Sequence, residues 1–137
     1  MKSDAVGHEV LVGETVLVVE DQWIVSVELT DLLIERGARA VAVGNLDDAL
    51  RAIEDNEVSI AIVDIRHDTQ SAEPVCERLH ELGVPFVIHT GYDDPNVFLR
   101  WKYVPILSKP VAGQVLIDTI VAALHSVGSA QENSATA

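Results

Sequence analysis

Short apolar segments alternate with helix-like segments along most of this chain of 137 residues. Five segments are rich in Val, Ile, Leu and Ala and are too short for an ordinary helix, which is typical of strands buried on both faces of a sheet. They cover residues 15–20, 38–43, 58–65, 84–90 and 104–107. A helix-like segment follows each of them, and all but the fourth of these segments have apolar residues at helical spacing. Parallel strands need such crossover helices, so the alternation predicts a parallel sheet.

The helix-like segments carry recognisable start and stop signals. Asn45 is a typical N-cap before "LDDALRAIEDN", and Gly37 and Gly83 end the first and third helices. The segment "DDPNVFLRWK" has few periodic apolar residues, so we expect it to be the least firmly anchored. The predicted helices cover residues 22–37, 46–56, 73–83, 93–102 and 113–128.

Right-handed crossovers between the strands predict one doubly wound α/β domain. Its five parallel strands would lie in the order 2-1-3-4-5, with helices on both faces of the sheet. We place this domain at residues 13–127. The flanking segments 1–12 and 128–137 are expected to be flexible tails, because the second of them, "SAQENSATA", is too polar to pack.

The composition argues against several classes of protein. The chain has 22 acidic and 9 basic residues and a net charge of −13, which disfavours nucleic-acid binding and favours a cation or a partner with a basic patch. No apolar run is long enough to cross a bilayer, and the N-terminus lacks a secretory signal. The one cysteine, Cys76, agrees with a reducing compartment. We therefore expect a cytoplasmic protein with no membrane partner.

Polar side chains stand at the carboxyl ends of four predicted strands. Glu20 and Asp21 end the first strand, Asp64 ends the third, Thr90 ends the fourth, and Lys109 follows the fifth. The carboxyl ends of parallel strands meet at one edge of the sheet, where ligands of such folds bind. We therefore expect three carboxylates, a hydroxyl and an ammonium group to converge on one cleft.

This set of groups predicts a cation and phosphoryl chemistry. Carboxylates held close together repel one another, and Lys109 compensates only one of the three charges. Magnesium, which binds oxygen ligands and keeps several waters, would compensate the rest. A carboxylate is also a competent nucleophile toward phosphorus, and a cation, an ammonium and a hydroxyl stabilise the charge on transferring oxygens.

Four motifs resemble the receiver domain of two-component response regulators. They are "VLVVED", "IVDIR", "PFVIHTGY" and "ILSKP", in the order and spacing of that family, and the resemblance covers roughly residues 13–127. It implies the flavodoxin-like receiver fold and Asp64 as the phosphoacceptor. It also implies that Asp21, Asp64 and the backbone carbonyl of Arg66 hold magnesium, that Glu20 acts through water, and that Thr90 and Lys109 bind phosphoryl oxygens.

The motif "PFVIHTGY" is similar to the signature of a narrower group, the single-domain "FAT GUY" regulators of alphaproteobacteria, although His89 stands where that signature prefers alanine. The resemblance implies a sensor histidine kinase or a phosphotransfer protein as phosphodonor. It also implies a downstream signalling protein, or drainage of phosphoryl groups, as the output. We expect a receiver with no DNA-binding domain.

The chain departs from the family pattern near the expected switch. The loop "RHDTQSAEP" has neither proline nor glycine in the usual places, and Ile106 occupies the position of the aromatic switch residue of many receivers. Tyr92 is a candidate replacement, and Arg66 and Tyr92 are expected to shield the phosphoryl group from water. Trp101 lies beside the expected output face and would suit a protein contact if exposed. His89 should face away from Thr90 and pack beneath the fourth helix.

Two other functions stay open at this point. A pseudo-receiver would share the fold and serve only as a docking module. A phosphatase with Asp64 as nucleophile would need a second acid two residues later, where this chain has Arg66. The sequence does not decide between a monomer and a weak dimer.

Overall fold

The computed structural model describes the backbone of residues 9–67, 70–91 and 99–136, and the side chains of these ranges except residues 66, 67, 70 and 127–136. Five strands form the central sheet: β1 (Thr15–Val19), β2 (Arg39–Val43), β3 (Ile60–Val63), β6 (Phe86–Thr90) and β7 (Ile106–Ser108). They pair in parallel in the order β2-β1-β3-β6-β7. In chain order this is 2-1-3-4-5, so the predicted sheet is confirmed.

Within the described ranges, helices with assigned bounds connect and flank these strands: α1 (Trp23–Glu35), α2 (Leu46–Asp55), α3 (Glu73–Glu81) and α4 (Gly113–Thr136). Asn45 caps α2 as predicted, because its side-chain oxygen accepts a hydrogen bond from the Asp48 N–H at 2.8 Å. The helix predicted at 93–102 falls largely outside the described residues. Its described end has two helical residues, Leu99 and Arg100, followed by a turn.

A small hairpin follows β3, and the sequence did not predict it. Its strands β4 (Arg66–His67) and β5 (Gln70–Ser71) pair antiparallel. The N–H of Ala72 donates to the carbonyl of Ile65 at 2.7 Å and closes the base of the hairpin. Ile65 and Ala72 are both buried, so the hairpin is fixed at its base to the core.

Alternate residues of the sheet build two separate cores, one on each face. Leu17 and Val19 of β1 belong to the core that includes residues of α2 and α3. Val16 and Val18 belong to the core that includes residues of α1 and α4. Because both faces are covered, the sheet leaves its carboxyl edge as the natural place for a polar site.

The folded domain begins earlier than residue 13. Leu11, which we had placed in a flexible tail, is fully buried, and its N–H donates to the carbonyl of Arg36 at 2.9 Å. The next residue, Val12, packs so close to Gly37 that a Cβ there would lie 2.5 Å from a Val12 methyl carbon. Gly37 also has φ +94°, so glycine is required both for the turn and for this contact.

The backbone of α4 continues through residues 128–136, where we expected a tail without regular structure. The mobility of that segment stays a prediction. Within the part of the chain that the structure describes, none of the helices combines the length and the apolar character that a membrane-spanning segment needs.

Candidate functional site

The acidic residues that end β1 and β3 lie next to each other. Glu20 and Asp64 are almost completely buried, with exposed fractions of 3% and 6%, while Asp21 is exposed. The N–H of Asp64 donates to the carbonyl of Val19 at 3.0 Å, which fixes the two strand ends in register. One carboxylate oxygen from each of the three acids lies within 4.8 Å of the others. The predicted convergence of these carboxylates is therefore present.

Lys109 joins the two buried acids. Its Nζ atom donates to Glu20 Oε1 at 2.7 Å and to Asp64 Oδ2 at 3.2 Å. The other oxygen of Glu20 accepts from the N–H of Gln22 at 3.2 Å. Both oxygens of Glu20 are thus engaged by donors of the protein.

Thr90 is the last residue of β6 and is 1% exposed. It is opposite Ser108 in the pairing of β6 with β7, and its carbonyl accepts from the Lys109 N–H at 2.8 Å. The strand register therefore places Thr90 beside the lysine that reaches Asp64.

Burial and charge set the protonation of the site. Burial raises the pKa of Asp64 to about 6; the nearby ammonium of Lys109 opposes this rise, and the charge of Glu20 adds to it. Burial alone would lower the pKa of Lys109, but the hydrogen bond to Glu20 and the charge of Asp64 raise it on balance. Asp64 is therefore mostly ionised at neutral pH, and its surroundings destabilise the ionised form relative to water.

The donor set fits a hard divalent cation. All three converging side chains offer carboxylate oxygens, which magnesium and calcium prefer. Only one ammonium faces the three acids within the described residues. A cation would stabilise the ionised form of Asp64 against burial, the main cause of its raised pKa, and against the charge of Glu20, which adds to that rise. Asp21 and Asp64 are the better direct ligands, since Glu20 already accepts two hydrogen bonds.

Comparison with known proteins shows the family to which the chain belongs. A signal receiver domain of a modulated diguanylate cyclase from Desulfovibrio desulfuricans is 31% identical, with a TM-score of 0.74 over 83% of this chain and 95% of that one. The chain belongs to the receiver-domain family. A CheY-like receiver from Methanospirillum hungatei has the same fold, with a TM-score of 0.77 at 21% identity over 85% and 97% of the two chains.

Nodulation protein W of Bradyrhizobium diazoefficiens is a curated relative of this receiver. It is 31% identical over 123 residues, which is 85% of this chain and 54% of that protein, so the chain spans about half of its length. No family model matches the chain.

Three further candidate residues were predicted to act at or near the site: Arg66, Tyr92 and Ile106. Arg66 begins β4, two residues after Asp64 in the chain, and its side chain is outside the described set. Ile106 begins β7 opposite Ile88 and is partly buried. Tyr92 lies outside the described residues. The roles given to these three residues stay predictions.

Trp101 is buried, so the condition of exposure on which a protein contact through its ring depended is not met, and its role in output stays a prediction. The residue is 8% exposed, and its ring packs edge-on against Phe86 with centroids 5.3 Å apart. Its Nε1 donates to Glu73 Oε2 at 3.2 Å. An apolar neighbour and a carboxylate partner hold the ring inside, and neither was visible in the weak helical pattern. Trp101 forms one wall of an apolar groove of about 850 Å³ between α3 and α4.

His89 is buried as expected and faces away from Thr90. It lies on the same face of β6 as Val87, which packs with residues of α1 and α4. The fourth predicted helix, beneath which we placed it, falls largely outside the described residues. Its Nδ1 is buried and has no partner among the described residues. Burial lowers the pKa of His89, Lys109 lowers it further, and Glu20 opposes both effects.

An exposed apolar stripe on α1 was missed. Trp23, Val27 and Ile34 are 73%, 49% and 56% exposed and share one face of the helix, opposite the buried Leu29 and Leu33. The signal was present in the sequence, because this helix contains more apolar residues than one core-facing stripe needs. We name Trp23, Val27 and Ile34 the α1 stripe.

Proposed function

We propose that this receiver accepts a phosphoryl group on Asp64 from a sensor histidine kinase or a phosphotransfer protein, in the cytoplasm. The observation that supports this most is the position of Lys109 Nζ, within hydrogen-bond distance of both Glu20 and Asp64. A structural ion pair would need only one acid. Lys109 instead donates hydrogen bonds to two, Glu20 and Asp64, and a third acid, Asp21, lies beside them.

The transfer itself is a simple displacement. A carboxylate oxygen of Asp64 attacks the phosphorus of a phosphohistidine, the P–N bond breaks, and the imidazole leaves with the electron pair and takes up a proton. The product is an acyl phosphate on Asp64. A pKa of about 6 leaves the carboxylate ionised, and therefore nucleophilic, at neutral pH.

Magnesium is the proposed cofactor, held by Asp21, Asp64 and the backbone carbonyl of Arg66, with Glu20 acting through water. When bound, it neutralises negative charge on the phosphoryl oxygens. The protein's own groups do the positioning: Lys109 donates to a phosphoryl oxygen, and the Thr90 hydroxyl binds another. Arg66 and Tyr92 are proposed to shield the product from water, which gives a slow loss of phosphate.

The phosphodonor must cover the site, and the α1 stripe is the apolar surface next to it. Trp23 is two residues past Asp21 and is 73% exposed at the start of α1. A large exposed ring beside a buried reactive group is suited to a protein contact. We infer that the kinase or phosphotransfer protein packs against Trp23 while it presents its phosphohistidine to Asp64.

Signalling would follow from a population shift. Phosphorylation draws Thr90 toward the phosphoryl group, and the neighbouring β7, α4 and the segment 99–104 form the surface that a downstream protein would bind. The protein would otherwise act by draining phosphoryl groups from its donor. The motif "PFVIHTGY" supports membership of the "FAT GUY" group within this proposal.

Intact-mass measurement with magnesium and acetyl phosphate separates the candidate functions. One added phosphate that persists, and that is absent from Asp64→Asn, supports the proposed function. Steady release of inorganic phosphate would indicate a phosphatase. An unmodified chain that still binds partners would indicate a pseudo-receiver.

A further inference from the structure

One carboxylate holds the end of the segment that precedes β7. Glu73, the first residue of α3, accepts the Trp101 Nε1–H at 3.2 Å and pairs with Arg100 Nε at 3.2 Å, both through Oε2. Arg100 also pairs with Glu77, and its guanidinium carbon lies 5.2 Å from the centroid of the Trp101 ring. We call the group of Glu73, Arg100 and Trp101 the Glu73 clamp.

The clamp is rigid on the Trp101 side. The ring packs edge-on against Phe86 at 5.3 Å and against His80 at 6.0 Å. The carbonyl of Trp101 accepts the Val104 N–H at 2.9 Å, and Val104 is two residues before β7. A shift of the Trp101 ring would therefore be passed to the start of β7.

Glu73 is also tied to the phosphoacceptor by a short path. Ile65 directly follows Asp64, and its carbonyl accepts the Ala72 N–H at 2.7 Å. Ala72 is fully buried and directly precedes Glu73, whose own N–H donates to Ser71 Oγ at 3.1 Å. The hairpin between Ile65 and Ala72 is thus bridged at its base, and Glu73 moves with that base.

An aromatic switch on β7 is absent, because Ile106 has an aliphatic side chain. For a change at Asp64 to reach residues 99–104, the packed groups between them must be able to adopt a second arrangement. The path through Ile65, Ala72 and the Glu73 clamp provides contiguous contacts of the required kind.

We propose that phosphorylation of Asp64 loosens the Glu73 clamp and so releases the Leu99–Val104 segment. This inference rests on the proposed function. A phosphoryl group adds bulk and negative charge beside the Ile65 carbonyl and displaces the base of the hairpin. Glu73 then moves away from the Trp101 Nε1–H, and the ring gains contact with water.

Tryptophan fluorescence of the full chain tests this directly, because Trp23→Phe leaves Trp101 as the one tryptophan. Trp23 lies on the proposed donor-docking surface, so the phosphate taken up by this parent is measured rather than assumed, and acetyl phosphate is used because it needs no docking. With magnesium and acetyl phosphate, and the added phosphate counted by intact mass in the same sample, the emission of Trp101 is expected to shift to longer wavelength.

Three substitutions in that parent assign the shift to Glu73. In Glu73→Ala the emission should already be shifted before phosphorylation and should not move further. In Glu73→Gln an oxygen acceptor remains for the Nε1–H, so the response should persist. Glu77→Ala is the matched control, because it removes a partner of Arg100 one turn away and leaves the Trp101 hydrogen bond intact.

The outcomes separate this inference from the function on which it rests. A phosphorylated parent whose Trp101 emission is unchanged, or an equal shift in Glu73→Ala, would overturn the clamp and leave the phosphoacceptor assignment standing. A chain that takes up no phosphate would overturn both.

Discussion

Lys109 Nζ lies 2.7 Å from Glu20 Oε1, closer than the 3.2 Å that separates it from Asp64. The lysine is therefore more fully engaged by the acid of the first strand than by the acid proposed to react. Asp64 keeps an incompletely compensated charge, and its pKa rises to about 6 as a result of burial. The site is poised for a cation or a phosphoryl group to complete it.

Replacing Lys109 with methionine should slow phosphorylation of Asp64 by acetyl phosphate about 100-fold or more, the cost of removing one donor to a charged transition state. The substitution also removes the charge that lowers the pKa of Asp64. The pH dependence of the remaining rate should therefore shift to higher pH. The measurement is the initial rate of mass increase. Lys102→Met, a lysine whose ammonium lies over the Tyr103 ring, is the control and should retain the rate.

Replacing Asp64 with asparagine should stabilise the protein in the absence of magnesium. The folded chain holds the Asp64 proton up to about pH 6, while the unfolded chain releases it near 3.8, so the stability of the unaltered protein falls as pH rises through that window. At pH 8 the free energy of unfolding of Asp64→Asn should exceed that of the unaltered protein by up to about 3 kcal/mol.

Urea unfolding at pH 4.5 and pH 8 measures this difference. The gain should grow between the two pH values, and added magnesium should stabilise the unaltered chain and not the variant. If the variant is less stable than the unaltered chain at pH 8, the claim that ionised Asp64 destabilises the folded protein is contradicted.

His89 should make the protein sensitive to acid. Its pKa in the folded state lies below 6.5, so folding favours the neutral imidazole. The free energy of unfolding is therefore highest above pH 6.5 and decreases as the pH falls below that value. His89→Leu should remove this loss, which has a slope of at most about 1.4 kcal/mol per pH unit for one proton. Unfolding free energies from pH 5 to 7.5 give the slope. His125→Leu, at an exposed position of α4, should leave it unchanged.

Truncation of Trp23 should separate donor docking from chemistry. Trp23→Ala is expected to slow phosphotransfer from a histidine kinase that phosphorylates the unaltered chain by about tenfold or more, the effect of a central interface residue. The rate with acetyl phosphate should stay within about twofold, since that donor needs no docking. Ile34→Ala, about 16 Å further along the same face of the helix, is the control and should have a smaller effect. Equal losses with both donors would contradict the docking role.

The sheet and the site could be predicted because both depend on local signals. Apolar β-branched segments fixed the strands, and each of Glu20, Asp64, Thr90 and Lys109 is adjacent in sequence to a strand end. The strand order then brings the ends together without further information.

The rest depended on contacts between distant residues. The weak pattern around Trp101 concealed its burial, because Phe86 and Glu73 stabilise it from other elements. Leu11 was assigned to a flexible tail, and its burial depends on the core that it shares with residues of α1 and α4 and on its hydrogen bond to the Arg36 carbonyl. The hairpin after Asp64 contains no turn residue that the sequence analysis recognised.

The location of the added phosphate tests the central claim most directly. After treatment with magnesium and acetyl phosphate, reduction with borohydride converts an aspartyl phosphate into homoserine, which peptide mass spectrometry detects. We expect homoserine at position 64, dependent on magnesium and reduced by Lys109→Met. Homoserine at Asp21 or elsewhere, or none at all in a folded protein, would contradict the account.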